Sequence, residues 1–346
     1  MNITRRGFGA LAAAALSTPG LATAAPRRGP RLIKPPRLHP GDLIGLIAPG
    51  GYASDRVIEK SVRNIEALGL RVKVGTYLRA VHGNYAGSVQ QRVADLHAMY
   101  ADPEVKMIWP VRGGSGCISL LSQLDYALIR RNPKILLGYS DITALHLAIH
   151  NRSGVVGFHG PVASSTLADY SREHMLAVLC EPRASYTIPM APENAEKART
   201  QPQFGIRTLT SGVATGPLLG GNLSLLAALC GTPYAADFRG GLLFIEEVGE
   251  APYRIDRMLT QLDLAVGLGN AAGVMVGVCE DCTLDAGEQG LSLDETLDEH
   301  LNPLIVPAVT GYSIGHIRHQ FTAPVGVRAR LDTAARTVTL LEPAVS

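Results

Sequence analysis

Along the first half of the chain, short and nearly unbroken apolar runs alternate with longer stretches whose apolar residues recur every three or four positions. The runs are "DLIGLIAPGG" (42–51), "RVKVGTYL" (71–78), "VKMIWPV" (105–111), "KILLGYS" (134–140) and "VVGFHGPVAS" (155–164). Each is short and bounded by turn residues, which predicts a buried strand. The periodic stretches lie between them. Residues 55–69 place Val57, Ile58, Val62, Ile65 and Leu68 on one face and stop at Gly69. Residues 88–101 open with Ser88 and Gln91 at capping-box spacing, and 117–130 and 141–152 continue the pattern. Strand and helix in regular alternation predict a parallel sheet covered by helices on both faces.

Residues 166–210 break the pattern. They are rich in Pro, Ala and Glu with little periodicity, and they read as an irregular connection between domains. Beyond them come "GPLLGGNLSLLAALCGTPY", "GGLLFIEEVGEAPYRIDRMLTQLDLAVG", "AAGVMVGVCEDC", "IVPAVTGYSIGHIRH" and a strand pair around "VRARLDTAARTVTLLEP". These short strands and Gly-rich turns predict a smaller second α/β domain. The expected organisation is a parallel-sheet domain over 41–165, the connection over 166–210 and a C-terminal domain over 211–346.

The first 40 residues follow neither pattern. Arg5-Arg6 precede an Ala/Leu-rich segment and Ala22-Thr23-Ala24, the layout of an export signal of the twin-arginine kind over residues 1–25. Phe8 to Leu21 is 14 residues interrupted by Pro19-Gly20, too short for a comfortable membrane span. Residues 26–40, rich in Pro and Arg, read as a linker. The expectation is a periplasmic protein without a membrane span in its mature part, the alternative being a cytoplasmic one.

Composition then narrows the function. The 346 residues are 46% hydrophobic and 18% charged with net charge +2, so the chain can bury a large core and carries no basic block of the nucleic-acid kind. Five cysteines, an odd number, do not make a disulfide framework. Cys279-Glu-Asp-Cys282 is at most half a zinc site, because no second pair stands at zinc-finger spacing. No metal or cofactor is expected, and a local Cys279–Cys282 bridge stays open.

Four places could carry chemistry. Ser140 sits where the run Ile135-Leu136-Leu137 turns into a helix, the position in open parallel sheets where functional groups collect. There its hydroxyl would be exposed and the Asp141 amide would face developing negative charge; helix capping by either residue is the plainer alternative. The stretch is not G-x-S-x-G, since residue 142 is Ile. Gly113-Gly114-Ser115-Gly116 ends another strand, and its backbone N–H groups could approach an oxygen closely; G-x-G-x-x-G and P-loop spacings are absent. Glu246 and Glu247 follow the apolar run Leu242 to Ile245, and strand alternation lets only one of them face a given side. A salt bridge to Arg254 or Arg257 is the alternative use. His316 follows Gly315 after the apolar stretch 305–309, with His319 as its competitor. Together these supply a nucleophile, a base, an orienting acid and oxyanion donors, the parts of an acyl-transfer site.

Taken together, "GDLIGLIAPGG", "YAGSVQQRVADLHAMYADPEVKMIWPVRGGSG", "LLGYSDITAL", "FHGPV", "LLGGNLSLLAALCGTPY", "LLFIEEVGEAPYRIDRMLTQL" and "GHIRHQFTAPVG" run in order over about residues 40–328. The chain in this respect resembles the LD-carboxypeptidases, serine peptidases also called muramoyltetrapeptide carboxypeptidases, whose relatives include the microcin C immunity enzymes. The resemblance implies a catalytic Ser140, Glu246 (not Glu247) and His316, with the backbone N–H groups of Gly114 and Asp141 holding the oxyanion. It also implies a nucleophile domain, a second domain carrying the acid and base, a cleft between them, and often a homodimer. Position 115 is Ser where the family usually has an aromatic residue. The implied substrates are peptidoglycan-derived peptides ending in D-alanine, with Arg112 and Arg254 as candidates to bind the terminal carboxylate. A peptidyl-nucleotide hydrolase with the same triad and a non-catalytic wall-peptide binder are the rival readings.

Overall fold

The structure, a computed structural model, describes residues 31–346. The export signal expected over 1–25 and residues 26–30 of the expected linker lie outside the described residues. Residues 31–40 are held against the body of the protein. Ile33 bridges to Val155, Lys34 pairs with Glu342 at 2.7 Å, and the Arg37 N–H donates to the Ser346 carbonyl at 3.0 Å.

The first lobe contains β1 (Leu43–Ile47), α1 (Asp55–Glu66), β2 (Arg71–Val74), α2 (Val89–Ala101), β3 (Val105–Pro110), α3 (Tyr126–Arg131), β4 (Ile135–Gly138), α4 (Ile142–Ser153) and β5 (Gly157–His159). The expected capping box opens α2: the Ser88 side chain accepts from the Gln91 N–H and the Gln91 side chain accepts from the Ser88 N–H. The single helix expected over 117–130 is two pieces, a 3-10 turn Cys117–Gln123 and α3. The first ends at Leu124 in extended backbone, and the Asp125 carboxylate caps the second by accepting from the Leu128 N–H at 2.8 Å.

The segment expected to be irregular is built. It holds α5 (Asp169–Cys180), β6 (Tyr186–Pro189), α6 (Pro192–Lys197) and β7 (Arg207–Thr210). Helix α5 has no legible apolar stripe because it is buried on several sides, with Tyr170, Ser171, His174, Met175, Ala177, Val178 and Leu179 all inside. The second lobe continues with β8 (Val213–Asn222), α7 (Leu223–Leu229), β9 (Leu242–Val248), α8 (Pro252–Val266), β10 (Gly273–Glu280), α9 (Leu293–Leu301), β11 (Ala308–Tyr312), β12 (Ala323–Val325), β13 (Arg328–Asp332) and β14 (Thr337–Leu340).

The first sheet has the order β12-β5-β4-β3-β1-β2. Strands β1 to β5 are parallel, and β12 joins antiparallel to β5. The chain winds one way from β1 to β2 and the other way through β3, β4 and β5, so a crevice opens between the ends of β1 and β3, where such sheets bind ligands. The second sheet runs β6-β14-β13-β8-β9-β10-β11-β7, with β8 to β11 parallel and the rest antiparallel. With eight strands against six it is the wider of the two. Central strands are apolar on both faces: Ile135, Leu136 and Leu137 of β4 and Leu242 to Ile245 of β9 are 0–2% exposed. That is the burial expected where both faces of a sheet are covered, and each such side chain contributes roughly 1.5–3 kcal/mol. No helix among the described residues is long and apolar enough to cross a membrane.

Candidate active site

Strand β4 ends at Gly138 and α4 begins at Ile142, so the chain reverses within three residues. Ser140 takes the corner in the left-handed region, φ 64°, one of three non-glycine residues at positive φ among those described. Such a backbone costs about 1–3 kcal/mol and persists only where the surroundings impose it. The plainer capping role is not the one seen: no side chain caps α4. The Asp141 carboxylate instead accepts from the Cys117 N–H at 2.9 Å, tying the elbow to the glycine loop. Burial pushes that carboxylate above its ordinary range, and the Cys117 hydrogen bonds and Arg92 only partly offset it.

The glycine loop lies directly on the elbow. A Cβ at Gly113 would stand 2.9 Å from the Ser140 Cβ, closer than real Cβ contacts allow, and 3.1 Å from its Oγ. The Gly113 carbonyl accepts from the Gly51 N–H at 2.9 Å, which joins the loops after β1 and β3. The N–H groups of Gly114 and Asp141 have no acceptor in the hydrogen bonds of the described residues. Ser115 accepts from the Asn84 amide at 3.0 Å.

The second lobe supplies the acid and the imidazole. Register on β9 turns its two glutamates to opposite sides. Glu247 accepts from the Asn222 amide, the Ser224 N–H and hydroxyl, and its own neighbour's Val248 N–H, at 2.7–2.9 Å. It therefore holds the N-terminus of α7, and neither Arg254 nor Arg257 is its partner. Glu246, fully buried, places Oε2 2.7 Å from Nδ1 of His316. Gly315 has φ 123°, and a Cβ there would stand 3.2 Å from the Glu246 Cβ, so glycine lets the His316 loop settle on the carboxylate. A carboxylate at Nδ1 selects the Nδ1–H tautomer and leaves Nε2 free to accept a proton. Burial lowers the His316 pKa, but the Glu246 hydrogen bond and the charges of Glu246, Glu247 and Glu280 outweigh it, and the net shift is upward.

The segment once expected to be a mere connection supports this loop. Asn194 of α6 donates to the Ser313 hydroxyl at 3.1 Å and to the His319 carbonyl at 2.9 Å. The Ser171 hydroxyl of α5 donates to the Arg318 carbonyl at 2.9 Å and accepts from the Gln320 N–H at 3.0 Å. His319, the competitor of His316, is thus held by its backbone, with its ring outside the Ser140 cavity.

Ser140, His316, Tyr139, Gly113, Gly114 and Arg112 line one cavity of about 400 Å³. The Tyr139 ring meets the His316 ring edge-on at 4.7 Å. Ser140 Oγ makes no hydrogen bond among the described residues, so its link to His316 Nε2 is open in this conformation; catalytic contacts often tighten only with substrate. Arg254 is elsewhere: it is exposed on α8, pairs with Glu250 at 3.4 Å and does not line the cavity. A second cavity of about 330 Å³ shares Tyr139 and Ser165 with the first and is lined by Arg318 and Gln320. Sequence reasoning passed over Arg318 and over His159, which lies near Glu246. The only cue for His159 was an imidazole inside an apolar run. The five cysteines are free, Cys279 and Cys282 included.

Comparison with known proteins agrees with this architecture. Residues 44–160 match the profile of the LD-carboxypeptidase N-terminal domain and residues 215–331 that of the LD-carboxypeptidase C-terminal domain. A probable murein peptide carboxypeptidase of Bacillus subtilis is 40% identical over 90% of this chain and 95% of its own. The crystal structure of a muramoyltetrapeptide carboxypeptidase from Oxalobacter formigenes superposes with TM-score 0.74 at 30% identity, covering 86% of this chain and 97% of the other. An MccF-like protein from Bacillus anthracis gives TM-score 0.78 at 28% identity over 90% and 99%.

Proposed function

Because the chain belongs to the LD-carboxypeptidase family, we propose that it is a serine carboxypeptidase that cleaves the L,D-peptide bond before the terminal D-alanine of peptidoglycan stem tetrapeptides. The observation that carries the reading is the 2.7 Å contact between the buried Glu246 and His316 Nδ1, with His316 on the same cavity as the left-handed Ser140. His316 Nε2 takes the Ser140 proton as Oγ attacks the carbonyl of the L-configured diamino acid. The N–H groups of Gly114 and Asp141 bind the resulting oxyanion, each worth about 3–4 kcal/mol in comparable sites. His316 passes the proton to the amine of the departing D-alanine. Water, deprotonated by the same imidazole, then attacks the ester, and Ser140 recovers its proton. Arg112, exposed on the cavity wall, is the cation for the terminal carboxylate.

Incubating the purified protein with a defined tetrapeptide and measuring free D-alanine by mass spectrometry tests this. Ser140→Ala should reduce the rate by about 10⁴-fold or more, as loss of a triad nucleophile does. Turnover by that variant at the parent rate would end the assignment. A peptidyl-nucleotide substrate run in parallel addresses the rival with the same triad. The chain's one tryptophan speaks against that rival: Trp109 is fully buried in β3 and its indole N–H donates to the Pro161 carbonyl at 2.8 Å, leaving no face for a base.

A further inference from the structure

Behind His316, three buried polar atoms lie together without a hydrogen-bond partner among the described residues: Glu246 Oε1 and both ring nitrogens of His159. His159 ends β5 in the first lobe and is fully buried, with Nε2 4.0 Å from Glu246 Oε1 in the second. Its ring packs edge-on against Phe244 at 5.3 Å and Tyr139 at 6.3 Å. Burial, with His146 and His316 nearby, holds its pKa well below the ordinary histidine value, so the ring is neutral and has one N–H to give. A buried carboxylate oxygen left without a donor is costly, and native structures rarely tolerate one without a reason. The gap is about 1 Å longer than an N–H···O bond and too short for a bridging water.

We propose that His159 is a positioning residue of the catalytic set: as its Nε2–H tautomer it donates to Glu246 Oε1 when the lobes draw together, and so keeps Oε2 on His316 Nδ1. The inference rests on the reading of Ser140, Glu246 and His316 as the reacting set. Its appeal is geometric. Ser140 and His159 belong to the first lobe, His316 and Glu246 to the second. An approach of the first lobe to the second would shorten the His159 Nε2 to Glu246 Oε1 gap, and Ser140, on the same lobe as His159, shares its cavity with His316. The other titratable groups facing this cluster are His146 on α4, Tyr139 at the elbow, Glu247 beside Glu246, and Cys279 and Glu280 at the end of β10; none of them hydrogen-bonds to Oε1.

The test compares the full-length parent with His159→Phe and His159→Gln. It follows D-alanine release and, independently of any peptide, the pH dependence of Ser140 labelling by a fluorophosphonate. Phe keeps a ring without a donor; Gln keeps a donor near the Nε2 position. The Phe variant should be slower by about 10- to 100-fold in both reactions with KM nearly unchanged. Its acidic limb, set by His316, should move to lower pH because the carboxylate is no longer fixed at Nδ1. The Gln variant should recover most of the rate and the parent limb. Should the Phe protein fail to fold in a thermal melt, His159→Asn, whose amide falls near Nδ1 instead, should show the same slowing and shift. Phe performing as well as Gln, or slowing with no movement of the limb, would mean that His159 only fills space. A wrong peptide class leaves the labelling comparison readable, whereas a parent protein inert to the phosphonate would overturn both readings.

Discussion

His316 is pulled in two directions. Burial disfavours its charged form, while the carboxylate of Glu246 and the more distant Glu247 and Glu280 favour it and prevail. Because the folded-state pKa is raised, the ion pair's contribution to stability is full below the unfolded value near 6.5 and is lost as pH rises through the folded one. Catalysis needs the neutral ring, so activity runs the other way: the acidic limb of kcat/KM should lie above pH 6.5. Glu246→Gln removes the charge and the tautomer control, and should bring that limb down while lowering kcat by about 10³–10⁴-fold. A pH–rate profile of the two proteins checks both statements; an unmoved limb would detach Glu246 from His316. At this scale much was legible beforehand. A serine at a strand-to-helix corner, glutamates after a four-residue apolar run and a histidine after glycine all point to groups held at strand ends. Arg254, offered as a carboxylate binder on its charge, does not line the Ser140 cavity: charge is visible in a sequence and the direction a side chain takes from its helix is not, and Arg254 turns to Glu250 and solvent.

Among the elements, α5 and α6 changed the picture most. Their sequence, "DYSREHMLAVLC" followed by "PENAEK", carries no clean 3.6-residue stripe, since α5 is covered on several sides and α6 is six residues long. Periodicity reports a helix most clearly when one face meets water. Yet these two helices hold the loop that carries His316, through Ser171 and Asn194. Asn194→Ala deletes both side-chain bonds and leaves the His319 carbonyl without its donor, while the Ser313 hydroxyl keeps the Ala191 N–H. It should cost about 1–3 kcal/mol in urea unfolding and lower kcat by misplacing His316. Stability lost without any change in kcat would mean that the loop holds its position unaided. The 117–130 stretch teaches the converse: its apolar period runs on smoothly, but the 3-10 turn ends at Leu124 in extended backbone and Asp125 caps a separate helix, α3.

At the scale of the whole molecule, the two lobes are not beads on a string. Strand β12, far along the chain in the second lobe's sequence, completes the edge of the first sheet beside His159. The Asn222 N–H at the start of α7 donates to the Thr143 hydroxyl of α4 at 3.0 Å, with Thr143 fully buried. Thr143→Val keeps the shape and leaves that N–H unpaired across the lobe boundary. Denaturant unfolding should show a loss of about 1–3 kcal/mol in one cooperative transition, because the lobes share this seam; two separate transitions would show that they fold independently. The sequence by itself determined the order of strands and helices in the first lobe, the elbow at Ser140, the glycine loop beside it and the family, because apolar period, turn chemistry and motif order are local properties of a chain. Only the tertiary structure decided that β12 crosses to the first sheet, that α5 and α6 buttress the His316 loop, that Arg112 and not Arg254 faces the cavity, and that His159 stands 4.0 Å from Glu246. Those facts depend on which distant segments share a surface, and burial from several sides erases the periodic signal that would have announced them.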